Sequence, residues 1–324
     1  MRRIVWIDIA KAICIILVVI GHYIPETHPL WYGEMRKVIY TFHMPLFMFA
    51  SGYIYIATKK EISYSEFIWR KVKRLMVPYL TVSVLVVSIK LCTQNQAYVE
   101  NPVTPFSYLK IFYLPEAGYF LWFIWALWWM FILIPFFRTP QSRLGLLIVA
   151  ALLPLAAQFM PEEFCFKEFS KMLQYFIMGI VVYDWKNKLL NLKQIPLGIY
   201  CIAFFFMEVL QHIGGGNSLL TASMGIALIL RASYSIKDNV MNRAWGRIVM
   251  LISSASYTIY LLHTTFEGFA KALVFKLPYL SDLSNDIMFC IGAVLVISSG
   301  VIIPILLYKH VLGRYTITKI LFGL

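Results

Sequence analysis

The sequence predicts an all-α fold, a polytopic integral membrane helix bundle of about ten transmembrane helices with both termini in the cytoplasm. Three observations predict it. Hydrophobic residues make up 60% of the 324 residues and charged residues only 14%, against roughly 45–50% and 25% in soluble domains. Apolar stretches of near membrane-spanning length recur along the whole chain. Lys and Arg collect in alternate connections between them, as cytoplasmic loops do. The mean hydropathy of +0.73 and the even spread of apolar segments exclude a soluble enzyme, a disordered chain and a disulfide scaffold. The net charge of +13 is assigned to loops and not to nucleic-acid binding, because the cations sit between long apolar stretches.

The predicted spans run near 5–24, 38–58, 76–93, 118–137, 144–160, 172–185, 195–213, 218–233, 248–266 and 287–308, each judged against the roughly 20 residues that cross a bilayer. A polar, proline-bearing stretch over 93–108 separates the third and fourth. Gly214-Gly215-Gly216-Asn217-Ser218 reads as a tight turn between the seventh and eighth. The first span follows Arg2 and Arg3 with no small-residue cleavage site, so it reads as a helix and not as a signal peptide. One domain over 1–324, with no appended soluble domain, is the expectation.

Arg2, Arg3, Lys59, Lys60, the cluster Arg70, Lys71, Lys73 and Arg74, and later Arg138, Arg143, Lys186, Lys188 and Lys193 fall on one side of this scheme. The C-terminal Lys309, Arg314 and Lys319 fall there too. An even number of spans follows. The connection Lys59 to Leu75 places Phe67 and Trp69 beside its cations and is expected to lie along the membrane surface. The five cysteines, Cys14, Cys92, Cys165, Cys201 and Cys290, have no ligand spacing and read as buried small hydrophobes. No metal site is expected.

Charge in a bilayer core is costly, so ionisable residues there are functional candidates. The first span holds Asp8, Lys11 and His22. Asp8 and Lys11 are three apart and can pair on one helix face. Lys11 and His22 are eleven apart, about three whole turns, so they share a face roughly 16 Å apart along the axis. A snorkelling ion pair at the interface and a packing histidine are the structural alternatives. The second span places His43 beside Pro45, which removes a backbone donor and is expected to kink the helix. Glu208 and His212 lie four apart in the seventh span, and Tyr260 and His263 three apart in the ninth; interhelical hydrogen bonding is an equal reading for both sets. The aromatic run from Tyr119 through Trp122 to Trp129 suits an interfacial belt or a substrate path.

Several of these segments resemble the acyltransferase-3 family of bacterial membrane acyltransferases, in particular its sugar O-acetyltransferase branch. The resemblance rests on Lys11 followed after ten residues by His22, on Phe42-His43-Met44-Pro45-Leu46-Phe47 with Ser51-Gly52-Tyr53, and on Arg70 to Tyr79. It rests also on Leu121-Trp122-Phe123 and on Ser256-Tyr257-Thr258-Ile259-Tyr260-Leu261-Leu262-His263. Most of the family carries Arg at the position of Lys11, and Lys keeps the charge without the planar fork. The resemblance implies a cytoplasmic acyl-CoA donor, often acetyl-CoA, as co-substrate with no bound cofactor. It implies a sugar hydroxyl on a lipid-linked or surface glycan as acceptor, and a multi-pass protein of the bacterial inner (plasma) membrane. It implies His22 as the catalytic histidine and Lys11 as a donor-site cation.

Acyl transfer from a thioester to an alcohol needs a base, oxyanion stabilisation and exclusion of water. His22 is the candidate base, either moving a proton only or carrying the acyl group covalently. Arg70, Lys71, Lys73 and Arg74 are candidates for the phosphates of coenzyme A, with positive-inside topology as the other reading. Asp8, His43, Trp122, Tyr260 and His263 are candidate supporting groups. A transporter or flippase for a lipid-linked saccharide would use the same intramembrane charges as a permeation path or proton relay. The oligomeric state is open.

Overall fold

The computed structural model describes residues 3–25, 28–95, 101–189, 194–274, 276 and 286–324. Arg2 and Lys193 of the cation pattern, and 96–100 of the polar connection, lie outside the described residues. Among the described residues there is no strand. The helices are α1 (Val5–His22), α2 (Leu30–Ala57), α3 (Tyr64–Lys71), α4 (Val77–Thr93), α5 (Ser107–Lys110), α6 (Trp122–Leu133) and α7 (Pro140–Leu152). They continue as α8 (Phe166–Asp184), α9 (Lys186–Leu189), α10 (Leu197–His212), α11 (Ser218–Asn242), α12 (Ala244–Val274), α13 (Asp286–Leu307) and α14 (Thr316–Leu321).

This is an all-α, multi-pass membrane protein. Seven helical runs among the described residues are long and apolar enough to cross a bilayer. The other three predicted stretches fall on α2, α8 and α10. α10 has only 16 residues, and α2 and α8 are diluted by polar groups such as His43 and Pro45 in α2 and Lys171 and Gln174 in α8.

Three expectations change. First, α2, α11 and α12 are longer than their apolar windows, because the amphipathic flanks continue the helix past the point where hydropathy falls. Second, the helix of the third span starts at Tyr64, within the Lys59 to Leu75 connection, and not near 76. α3 runs into α4 through one turn of π-helix, Val72–Met76, and Tyr64–Thr93 forms one helical run. Third, the cysteines divide: Cys14 and Cys165 are buried, whereas Cys92, Cys201 and Cys290 are exposed, as small apolar thiols on helix surfaces in lipid can be. Pro45 lies inside α2, which is helical on both sides of it.

The chain forms two compact units, Met1–Thr58 with Val182–Ile305 and Lys59–Val181 with Leu306–Leu324. In the first, α1 is the central helix and packs on α2, α11 and α12. Its Ala10, Cys14, Ile15 and Val19 are fully buried, and small residues of this kind let neighbouring helices approach closely. α12 runs parallel to α1: Arg3 donates to Ser254 Oγ (2.6 Å) near one end, and Lys271 donates to the Ile24 carbonyl (3.3 Å) past the other. α2 runs antiparallel, with Tyr53 against Trp6 (ring centroids 5.2 Å apart) and the Cys14 thiol donating to the His43 carbonyl (2.9 Å). The turn at Gly214–Asn217 ends in an N-cap, where Asn217 Oδ1 accepts from the Leu219 amide (2.9 Å) and starts α11.

The second unit is organised around Tyr79 of α4. Its hydroxyl lies 2.7 Å from the Ile111 carbonyl and 2.8 Å from that of Leu114, and its ring meets Trp125 edge-on. Phe164 and Cys165 both adopt the left-handed region (φ 55° and 54°). They are held there by the Phe164 amide on the Tyr113 carbonyl and by Trp129 Nε1 donating to the Phe164 carbonyl. Burial, with Glu168 close by, pushes the Cys165 thiol up to about 12, so it stays protonated at neutral pH. α14 packs on α4 and on the π-turn.

Gly225 shows how tightly the first unit is packed. A Cβ there would lie 2.6 Å from Phe42 Cβ and 3.0 Å from the Phe204 ring. Gly225→Ala is therefore expected to destabilise the α2–α11 contact by about 1–3 kcal/mol, the usual cost of overpacking. A lowered midpoint in fluorescence melting of the detergent-solubilised protein checks it; an unchanged midpoint refutes it.

Candidate active site

Three histidines converge in the first unit, and one local device orients all of them. His22 Nδ1 lies 2.9 Å from the Val18 carbonyl, His43 Nδ1 2.8 Å from that of Ile39, and His263 Nδ1 3.1 Å from that of Ile259 and 2.8 Å from that of Tyr260. Each partner is a carbonyl on the same helix, three or four residues back. A carbonyl only accepts, so Nδ1 carries the proton and each neutral ring presents Nε2 as a lone pair.

Burial separates their roles. His43 is 1% exposed and His263 0%, while His22 is partly exposed. The His22 and His263 rings meet edge to face, with centroids 4.9 Å apart at 89°. His22 also lies 6.2 Å from the Tyr40 ring, which packs on His43 at 4.8 Å. His22 is thus the one accessible imidazole of the three, backed by two buried ones. Tyr260 is buried, stacked on Tyr257, with its ring 6.4 Å from that of His263.

The end of α1 explains how His22 is held. A helix ends with carbonyls that lack intrahelical donors, and within a bilayer water is scarce. Here side chains replace it. Tyr32 Oη lies 2.7 Å from the Ile20 carbonyl and 3.0 Å from that of Tyr23. Arg36 Nε and Tyr40 Oη both donate to the Gly21 carbonyl, at 3.0 and 3.2 Å. The backbone on both sides of His22 is therefore anchored to α2.

At the other end of α1, Asp8 gathers three partners: Arg3 Nε at 3.1 Å, Lys11 Nζ at 3.6 Å and the Ser253 hydroxyl at 3.0 Å. Lys11 sits about 16 Å along the axis from His22 and keeps 24% of its side chain exposed. Asp8 and Lys11 are therefore not beside the histidines.

Arg70, Lys71, Lys73, Arg74 and Trp122 belong to the second unit, and the structure sorts them. Arg70 is paired with Glu66 at 2.5 Å. Lys71 is tucked over the Phe131 ring (3.4 Å) with Phe67 at 5.3 Å, a cation–π seat. Lys73 lies over Trp69 at 5.2 Å. Arg74 is exposed, with no hydrogen bond, ion pair or ring contact among the described residues. Trp122 is half-buried and edge-on to Phe123. Lys309, Arg314 and Lys319 fall in the same unit through its C-terminal segment.

Among the described residues no group of three His, Cys, Asp or Glu side chains could hold a metal ion. The histidine cluster of the first unit offers an accessible imidazole suited to general-base chemistry.

The acyltransferase domain that defines the acyltransferase-3 family matches residues 4–309. The chain belongs to this family. The match runs through both units. It is similar to the Nodulation protein NolL of Mesorhizobium japonicum, 32% identical over 245 residues, covering 74% of this chain and 56% of the relative. It is similar also to the Nodulation protein NolL of Sinorhizobium fredii, 31% identical over 170 residues, covering 49% and 45%. The chain thus spans about half the length of the curated relatives it matches. No solved structure matches it.

The sequence reading missed Tyr40 and Arg36, whose roles depend on where α1 ends, and Glu267, which is 2% exposed one turn beyond His263. Its own rule for intramembrane charges would have found Glu267, had the ninth span been drawn to its real end. Asp8→Asn is expected to remove the shared anion of Arg3 and Lys11 and to lower stability by about 1 kcal/mol, discounted for the exposure of Arg3. Melting of the variant checks the value, and a midpoint equal to wild type would sink the clamp.

Proposed function

We propose that the protein is a membrane-bound O-acyltransferase that moves an acyl group, in the simplest case acetyl, from cytoplasmic acyl-CoA to a sugar hydroxyl of a cell-surface or lipid-linked glycan. In this reading it is a single catalytic domain of about ten spans in the bacterial inner membrane, with both termini cytoplasmic. The observation that carries the reading is His22, a partly exposed imidazole oriented through Nδ1 by the Val18 carbonyl and packed edge to face on the buried His263.

The chemistry follows from that orientation. His22 Nε2 takes the hydroxyl proton as the sugar oxygen bonds to the acyl carbon. The carbon–sulfur bond breaks, and the imidazolium returns the proton to the departing thiolate, so the products are an ester and free CoA thiol. General-base catalysis of this kind contributes roughly 10²–10⁴-fold. Lys11, paired with Asp8, serves as a donor-site cation in this reading. Lys73 and Arg74 are the cations assigned to its phosphates, Arg70 being paired with Glu66. Lys71 is left out of that task because its ammonium is spent on Phe131. His43, Tyr260 and His263 hold His22 from behind.

His22→Gln is expected to lower acyl transfer by at least about 10²-fold while the protein still accumulates in the membrane. The measurement is thiol release from acetyl-CoA in inverted membrane vesicles, together with mass spectrometry of the surface glycans for the added acyl group. Transfer at the wild-type rate refutes the role of His22, and movement of unmodified glycan without thiol release favours a transporter. Replacing Lys73 and Arg74 together by Gln is expected to raise KM for acetyl-CoA roughly tenfold, as loss of charge-assisted phosphate contacts does, with little change in kcat. An unchanged KM removes them from the donor site.

A further inference from the structure

Glu267 is a carboxyl at membrane depth that the mechanism above does not use. It is 2% exposed, and its Oε1 has no hydrogen-bond partner among the described residues. Such a group is expensive to retain in a bilayer and costly when unsatisfied. Space has been made for it: a Cβ on Gly300 of α13 would lie 2.8 Å from Glu267 Cγ, 3.2 Å from Oε1 and 3.0 Å from Val19 Cγ1. Glu267 is therefore wedged between α12, α13 and α1, against a residue three before His22 on α1. It also follows His263 by four residues, so both lie on one face of α12, and His263 is the residue whose ring meets His22.

The geometry points to Glu267 as a positioning residue of the acyl-transfer site, a buried carboxyl that acts through His263 to hold His22 and to support the positive charge His22 carries while the proton is on it. The inference rests on the reading of His22 given above. A glutamine would fill the Gly300 notch as well, so packing alone does not call for an acid. In a low-dielectric surrounding a carboxylate one helical turn from His263 acts on an imidazolium packed against that ring. Other charged or titratable groups face the pair. α1 brings Tyr23, and α2 brings Tyr32, Arg36, Tyr40 and His43. α12 adds Lys271, whose ammonium is held by the Ile24 carbonyl; from α13 the residue against Glu267 is Gly300, which carries no charge. Glu267 is the one carboxylate among them.

The test uses the full chain in inverted membrane vesicles from its own host, which carry their own acceptor, with acetyl-CoA as the donor. E267Q is expected to accumulate normally and to lose roughly tenfold or more in kcat, with KM for acetyl-CoA little changed. The acidic limb of its pH–rate profile is expected to move to lower pH. E267D, which keeps the charge one methylene back, is expected to recover part of the rate and the wild-type limb. A wild-type rate and limb in E267Q overturns the proposal, as does an E267D no better than E267Q. If E267Q fails to accumulate, E267L and E267D decide: wild-type transfer by E267L, or E267D with the limb displaced as a neutral residue would displace it, overturns the proposal. H22Q run beside them keeps the two ideas apart. Retained transfer in H22Q sinks the reading of His22 itself, whereas a dead H22Q with a normal E267Q sinks only the role of Glu267.

Discussion

The way α1 ends governs the rest of the first unit. A helix that stops inside a bilayer leaves carbonyls that water does not reach, and each unsatisfied one costs free energy. The structure meets this with Tyr32, Arg36 and Tyr40 from α2 and with Lys271 from α12. Because the donors come from two other helices, finishing α1 also fixes those helices against it. His22 is the last residue of α1, so the groups that satisfy the backbone also hold the imidazole. The chemistry proposed for His22 would sit where the fold already needs many converging polar groups, so placing a reactive side chain there adds little further cost.

The sequence made part of this legible. Hydropathy located the helices, because burial in lipid demands long apolar runs whatever their partners. The i, i+3 spacing of Asp8 and Lys11 indicated a pair, and the structure has them 3.6 Å apart. Boundaries were less legible, because α2 and α12 keep helical hydrogen bonding through residues that hydropathy scores as polar. That single error hid Glu267, which lies one residue past the predicted end of the ninth span.

Other features were not legible in principle. Four cations between Arg70 and Arg74 look alike in a sequence, yet Lys71 lies against Phe131 from a distant helix and Arg70 against Glu66 one turn back. Only three-dimensional neighbours separate a structural cation from a free one. The contact between His22 and His263 is of the same kind. It depends on α1 and α12 running parallel, and no local spacing encodes that.

The three histidines share a further economy. Many enzymes orient a catalytic imidazole with a carboxylate on Nδ1, which fixes the tautomer and stabilises the imidazolium at once. In a bilayer that carboxylate would itself need a partner. Here a carbonyl of the same helix does the first task for His22, His43 and His263 alike. It brings no net charge and requires only that the ring fold back along its own helix. The second task, answering the positive charge while the proton is held, is left undone by a carbonyl dipole alone. Under the role proposed for Glu267, one turn beyond the buried His263, the two functions are separated: orientation comes from the backbone, and charge support from a carboxyl whose Oε1 makes no hydrogen bond among the described residues.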